Sequence, residues 1–263
     1  MSEKKTTYKY SFKVSYVGTN YAGSQIQRVR EGDSPKTIQA EIEKAICTLI
    51  QSQDSDKIKK RPIKTVFSGR TDKGVHSKGQ VVHFESEKAL VASKLIYSMN
   101  EILPKDISVS DLKEVSTSFH ALKSAKKRHY QYVFWNKDYR DAFDGDLLLV
   151  RGELNIQRMQ KALEYLIGEH DFSSFKSSGS INPSKICFIY NVECKKLDDK
   201  VVINIVGNRF LYNMVRAIIG TLLLIEKKDL APEFIKEVLE AKDRSRAGKN
   251  VSPNGLTLVK VEY

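Results

Sequence analysis

The chain is predicted to be an α+β protein, and three observations carry that prediction. Tyr8, Tyr10, Phe12, Val14 and Tyr16 alternate with polar residues, the period of a half-buried strand. Ile38, Ile42, Ala45, Ile46, Leu49 and Ile50 fall on one stripe at helical spacing, behind Thr37 as a cap. Strands and helices then keep mixing through two comparable halves, with neither a residue-level repeat nor a low-complexity segment. The division is placed near Ser116, giving halves 1–116 and 117–263.

Taken in order, Gly18 and Gly23 end the first strand, and the charged stretch from Gln51 to Lys64 reads as a loop. A strand through Val66, a turn at Asp72 and a strand over Val81–Phe84 follow. A helix from Leu90 to Leu103 stops at Pro104, which cannot continue it, and a strand runs from Ile107 to Val115. In the second half, Tyr130–Trp135 is an aromatic-rich strand. Asn155 caps a helix with Ile156, Met159, Leu163, Leu166 and Ile167 inward, and Gly168 suits its C-terminal cap. Val201–Val206 reads as a strand and Phe210–Ile225 as a largely apolar helix. Pro232 fits the first turn of a helix bearing Phe234, Ile235, Val238 and Leu239, and Gly255–Tyr263 forms a last strand.

Charge points to a polyanion. The 263 residues hold 44 Lys plus Arg against 32 Asp plus Glu, a net +12. Neutralising phosphates releases condensed counterions, so such a surface favours nucleic acid, although a lysine-rich solvated surface has the same composition. Cys47, Cys187 and Cys194 lack paired or zinc-binding spacing, and Cys47 reads as a small core residue. A sparse, odd set of cysteines without a leader segment fits a reducing cytoplasm. The longest uncharged apolar stretch, Ala217–Ile225, is far shorter than the ~20 residues that span a bilayer.

Four segments can carry chemistry. In Gly69-Arg70-Thr71-Asp72-Lys73-Gly74-Val75-His76, one carboxylate sits between a guanidinium and a glycine turn. Asp-Lys-Gly is ordinary turn chemistry, yet a tight turn with neighbouring cations is also what lifts out and ionises a nucleophilic Asp. Arg70, two places from Asp72 on an extended segment, points the same way. It can keep the carboxylate charged or fill the gap left when a base leaves its stack. His76 and His83 have no carboxylate or cysteine cluster beside them, which favours hydrogen bonding or RNA contact over metal ligation. The second segment, Lys126-Lys127-Arg128-His129-Tyr130-Gln131-Tyr132, sets basic residues beside aromatic faces. That suits RNA backbone and splayed bases as well as a charge-guarded edge strand. The third, Asn208–Arg216, places Arg216 inside an apolar helix, where a guanidinium must find an acceptor or snorkel to water. The fourth, Pro253–Leu258, opens the final strand, with Leu258 read as core packing.

The Asp72 segment together with Gln80 resembles the active-site signature of the TruA family of tRNA pseudouridine synthases. Arg128-x-Tyr130-x-Tyr132 and Phe210-x-x-x-Met214-Val215-Arg216-x-x-x-Gly220 match further family patterns, and the resemblance runs from Tyr8 to Tyr263. It implies two similar α+β halves sharing a mainly antiparallel central sheet with helices packed on it and a cleft between the halves. It also implies uridine-to-pseudouridine isomerisation in the tRNA anticodon stem-loop, at positions 38, 39 and 40, without cofactor or metal, by a homodimer. Asp72 is then the nucleophile, attacking either ribose C1′ or pyrimidine C6, and Arg216 its ion-pair partner. Tyr130 stacks on the uracil, Leu256 lines its pocket and Arg70 assists base flipping, with His76, Lys127 and Arg128 among the substrate contacts. From the basic residues themselves, Lys123, Lys126, Lys127 and Arg128 are the candidate phosphate contacts, with weaker claims for Lys57, Lys59, Lys60, Arg244 and Arg246. Gly168–Phe175 resembles a supporting family segment. The chain departs from the pattern at Val17, where the family commonly has an acid, at Ser24, where it commonly has Trp or Phe before a shared Gln25, and at Leu122, where it often has Arg.

The competing readings are a TruA-like synthase acting on other RNA sites and a catalytically silent RNA-binding module. A zinc deaminase lacks its His-x-Glu and Pro-Cys-x-x-Cys residues, and a Rossmann methyltransferase its glycine-rich loop.

Overall fold

The computed structural model describes residues 7–27, 35–51, 63–178 and 184–263. They gather into two compact units, Met1–Ala125 with Tyr263, and Lys126–Glu262. Among the described residues no helix is long and apolar enough to cross a membrane.

The first unit contains strands β1 (Tyr8–Tyr16), β2 (Thr65–Phe67), β3 (His76–Ser86) and β4 (Ile107–Glu114), with helices α1 (Ile38–Gln51) and α2 (Ala92–Ile102). β1 lies between β3 and β4, β2 adds to β3, and every pairing is antiparallel. The alternation of β1 becomes one buried face. Tyr10, Phe12, Val14 and Tyr16 share a core with Val82 and Phe84 of β3, Ile38, Ile42 and Ile46 of α1, and Met99 of α2. The Tyr10 ring stacks on Phe84 with centroids 5.8 Å apart and Phe12 meets it edge-on at 5.9 Å, arrangements aromatic quadrupoles favour. Thr37 caps α1 as predicted, its hydroxyl accepting the Ala40 N–H at 3.3 Å. β3 starts at His76 rather than Val81, because its pairing with β1 continues to Tyr16 opposite Ser77. Cys47 is half-buried rather than core.

His83 of β3 is only 5% exposed. Its Nδ1 accepts the Ala121 N–H at 3.1 Å and its ring meets His120 edge-on at 5.1 Å, so it tethers the segment after β4. Burial first, then the neighbouring His120 and Lys9 charges, push its pKa down to about 4.

The second unit contains strands β5 (Lys127–Asn136), β6 (Leu149–Val150), β7 (Gly168–Asp171), β8 (Ile186–Leu197), β9 (Lys200–Gly207) and β10 (Leu256–Glu262). Its helices are α3 (Ile156–Glu164), α4 (Met214–Lys228) and α5 (Phe234–Ala241). The strands run β10–β5–β9–β8–β7, all antiparallel, with β6 parallel to β5. Met159, Leu163, Phe172, Phe175, Ile218, Leu222, Ile225, Ile235 and Val238 are all fully buried. Asn155 caps α3 by accepting the Arg158 N–H at 2.9 Å.

Three differences from the sequence reading have local causes. α4 starts at Met214, not Phe210, because Asn213 takes a left-handed φ of 61°, which breaks a right-handed helix. α3 ends at Glu164, so Ile167 leaves the inward stripe and is 43% exposed. β8 was not foreseen. It makes a hairpin with β9 through Asp198 at a φ of 51°, with Leu197 opposite Lys200.

α4 meets the segment ahead of β10 backbone to backbone. A Cβ on Gly220 would lie 1.8 Å from the Lys249 carbonyl oxygen, and one on Gly248 would lie 2.2 Å from that of Gly220. The Gly248 N–H donates to Thr221 Oγ1 at 2.9 Å, closing the contact.

Two outcomes follow from this packing. In an exposed helix, Gly→Ala gains about 1 kcal/mol, but at Gly220 the overlap with a backbone oxygen outweighs propensity. Gly220→Ala should therefore lower unfolding free energy by about 2–3 kcal/mol in denaturant titration. Gly69→Ala, whose methyl meets nothing within 4 Å, should change it by less than about 0.5 kcal/mol. For His83, the unfolded chain binds a proton near pH 6.5 that the folded chain refuses until about pH 4. Its contribution is complete above pH 6.5 and is lost between there and about pH 4, on the order of 3 kcal/mol in all. Denaturation midpoints between pH 7 and 4.5 should fall less steeply in His83→Asn; equal slopes would refute this.

Candidate active site

In the first unit, Asp72 opens a tight turn. The Val75 N–H donates to the Asp72 carbonyl at 3.1 Å, and Gly74 takes a φ of +81° at the third position, which a side chain resists. Asp72 is half-buried while Lys73 at the tip is exposed. The turn is gripped from both flanks. Before it, Thr71 N–H donates to Ser24 Oγ at 2.8 Å, Ser24 N–H donates to the Thr71 carbonyl at 3.1 Å, and the Thr71 and Tyr16 hydroxyls lie 2.8 Å apart. After it, the Gly18 N–H donates to His76 Nδ1 at 2.9 Å, and Gly18 lies so close that a Cβ there would sit 2.0 Å from the Val75 carbonyl oxygen. The Gln80 amide donates to the Gly69 carbonyl at 2.9 Å and its oxygen accepts the Ser68 hydroxyl. Burial pushes the Tyr16 hydroxyl up to about 12, so it stays a neutral hydrogen-bonding group.

Arg70 is exposed, and its Nε donates to the Gln25 side chain, which aims the guanidinium. His76 is thus oriented by a backbone amide. Among the described residues no group of three or more His, Cys, Asp or Glu could hold a metal ion.

In the second unit, Arg216 lies on the first turn of α4. Its Nε donates to the Val251 carbonyl at 2.8 Å and its Nη1 to Asn213 Oδ1 at 2.7 Å, which fixes the plane of the guanidinium. Asn213 is set in turn by donating to Ser177 Oγ at 3.1 Å, a hydroxyl that also accepts from Asn250. Arg244 ties the same segment down, donating to the Gly248 carbonyl at 3.0 Å and to Asn250 Oδ1 at 2.9 Å. The Val251 and Asn213 oxygens accept from Arg216 donors that an apolar helix would otherwise leave unpaired.

Tyr130 and Tyr132 share a face of β5, and the structure separates their surroundings. Tyr132 is fully buried, its hydroxyl donating to the Ser252 carbonyl at 2.9 Å, and burial pushes its pKa well up despite the Arg216 charge nearby. Tyr130 is half-buried and meets the Phe210 ring edge-on at 5.0 Å. Leu258 lies opposite Tyr130, and Leu256 lies opposite Tyr132. Leu256 and Leu258 are both buried. Gly255 is required here, since a Cβ would come within 2.4 Å of the Val133 carbonyl oxygen.

The basic residues divide by use. Lys123 and Lys126 are exposed. Lys127 reaches over the Tyr190 ring at 4.9 Å and lies 4.0 Å from Glu262. Arg128 donates from Nη1 to the Asn208 carbonyl at 2.6 Å, holding the segment that leads into Arg209 and Phe210. Arg246 faces Glu237 at 3.7 Å. Lys57, Lys59 and Lys60 lie outside the described residues. The sequence reading missed Ser24 as a partner of Thr71 and Asn213 and Val251 as partners of Arg216. Nothing in the spacing of residues so far apart along the chain announces such contacts, although Asn213 lies inside a segment already singled out.

A family model described as tRNA pseudouridine synthase matches residues 162–263. The tRNA pseudouridine synthase A of Caldicellulosiruptor saccharolyticus is 41% identical over 251 residues, 95% of this chain and 97% of that protein. The tRNA pseudouridine synthase A of Buchnera aphidicola subsp. Schizaphis graminum is 40% identical over 264 residues, 100% of this chain and 94% of its own length. That of Bacillus subtilis (strain 168) is 38% identical over 251 residues, 95% of this chain and 97% of its own. Among solved structures, a chain of a Cbf5-Nop10-Gar1 complex aligns with a TM-score of 0.36 and 12% identity over 82% of this chain and 44% of that one.

Proposed function

This chain belongs to the tRNA pseudouridine synthase A family, and from that premise we propose that it isomerises uridines of the tRNA anticodon stem-loop with Asp72 as nucleophile and no cofactor. As a member of that family it is an RNA pseudouridine synthase, an isomerase. The observation that supports the choice of Asp72 is its place at the head of a turn whose two flanks are bound while the residue itself is only half-buried. A reacting group must be both fixed and reachable, and this backbone supplies both.

Isomerisation breaks the bond between ribose C1′ and N1 and forms one between C1′ and C5, with the C5 proton lost and N1 protonated, so the atoms balance without a co-reactant. Asp72 attacks either C1′, releasing the uracil, or C6, forming an adduct from which the base turns. Either route needs the carboxylate ionised, and that is the role proposed for Arg216, whose guanidinium plane is already fixed by Val251 and Asn213. Tyr130 stacks on the uracil and Leu256 bounds its pocket. Arg70, steered by Gln25, fills the space the base leaves. His76 supports the turn as well as contacting substrate. Extruding a base costs a few kcal/mol, which phosphate contacts from Lys123, Lys126 and Lys127 offset, while Arg128 braces the Asn208 segment beside them. The same reading makes the working form a homodimer in the cytoplasm, where the free thiols of Cys47, Cys187 and Cys194 would persist.

Asp72→Asn should abolish pseudouridine formation on tRNA while leaving tRNA affinity within about twofold, since one neutral substitution removes no phosphate contact. Normal turnover by that variant would refute the assignment. Affinity should fall steeply with salt, and Lys126→Ala should flatten the slope of log K against log salt by about one. A salt-independent affinity would argue against RNA as the partner.

A further inference from the structure

We propose that Ser24 is a positioning residue that aims Asp72 through Thr71. The inference rests on the reading of Asp72 as the attacking group and adds to it a determinant that the shared signature does not contain. Ser24 is fully buried. It holds both peptide groups of Thr71, the residue just before Asp72, its Oγ accepting the Thr71 N–H at 2.8 Å and its own N–H donating to the Thr71 carbonyl at 3.1 Å. It is itself anchored, because its carbonyl accepts the Gln39 N–H from the first turn of α1 at 2.9 Å. The chain from helix to reacting group is therefore α1, Ser24, Thr71, Asp72, without a freely rotating link.

Two features make the grip tight. Gly23, at a φ of +126°, lets the backbone come so near that a Cβ there would sit 3.0 Å from the Thr71 carbonyl oxygen. The surroundings are also dry: Ser24, Ser68 and Gln80 are 0% exposed, Ser77 3%, Tyr16 4% and Thr71 6%. A buried N–H that loses its acceptor in such a place cannot turn to water, so the Thr71 peptide would shift to find another. Any shift there is passed directly to Asp72. A Trp or Phe, which the TruA pattern commonly carries at this position, has no hydroxyl to accept that N–H, so the clamp is not part of that pattern.

The test is single-turnover pseudouridine formation with enzyme in excess over tRNA, in which the rate constant reports positioning and the amplitude reports the folded fraction. Ser24→Ala should lower the rate constant about 10- to 100-fold with amplitude and tRNA affinity unchanged, the size expected when a reacting group is misplaced by about an ångström. Ser24→Thr, which keeps the hydroxyl, should recover most of it. If Ser24→Ala does not fold, Ser24→Cys fills the same space with a weak acceptor and should show the same loss. An unchanged rate constant, or a lower amplitude alone, would overturn the proposal. Asp72→Asn, run in parallel, separates the two claims. If it is inactive while Ser24→Ala is normal, only the role of Ser24 fails; if it is active, the reading of Asp72 itself fails.

Discussion

The two peptide groups of Thr71, beside Asp72, are held on both sides, and that constraint organises the polar part of the first unit. Thr71 is bound through its N–H, its carbonyl and its hydroxyl, while the following residues are closed by the Gly74 turn and the Gly18 amide. This also accounts for the buried polar layer of Ser24, Ser68, Ser77 and Gln80, which in an ordinary core would be costly. Its hydrogen bonds give the turn one conformation in which apolar contacts alone would leave several.

The second unit solves the matching problem for a cation. Arg216 can lie on an apolar helix because Val251 and Asn213 accept from it, and Val251 is within reach only because two glycines let α4 and the segment ahead of β10 touch. The left-handed turn at Asn213 that starts α4 late also delivers the acceptor for Nη1. A helix start that looks like a defect in the sequence pattern is thus part of the arginine's support.

Net charge overstates the surface available to a polyanion. Arg128 and Arg244 donate to backbone carbonyls, and Arg158 is shared by Glu226 and Asp229, so these cations stabilise loops and helix ends. The exposed lysines Lys123 and Lys126 are better placed for phosphate. A guanidinium with several fixed donors serves as a structural clamp, while a lysine on a flexible stem keeps its charge in water.

By itself the sequence determined the α+β class, the period of β1, the stripe and cap of α1, the cap of α3 and the residues that resemble a family signature. These follow from local rules, since alternation, helical spacing, capping and turn chemistry act over a few residues. Tertiary structure alone decided that Ser24 grips Thr71, that Tyr132 is buried while its neighbour Tyr130 is half-exposed, and that Arg128 braces Asn208. Each of these joins residues far apart along the chain or on one strand face. What a serine or an arginine does there depends on which backbone donor or acceptor the fold brings within about 3 Å, and no spacing in the chain encodes that distance.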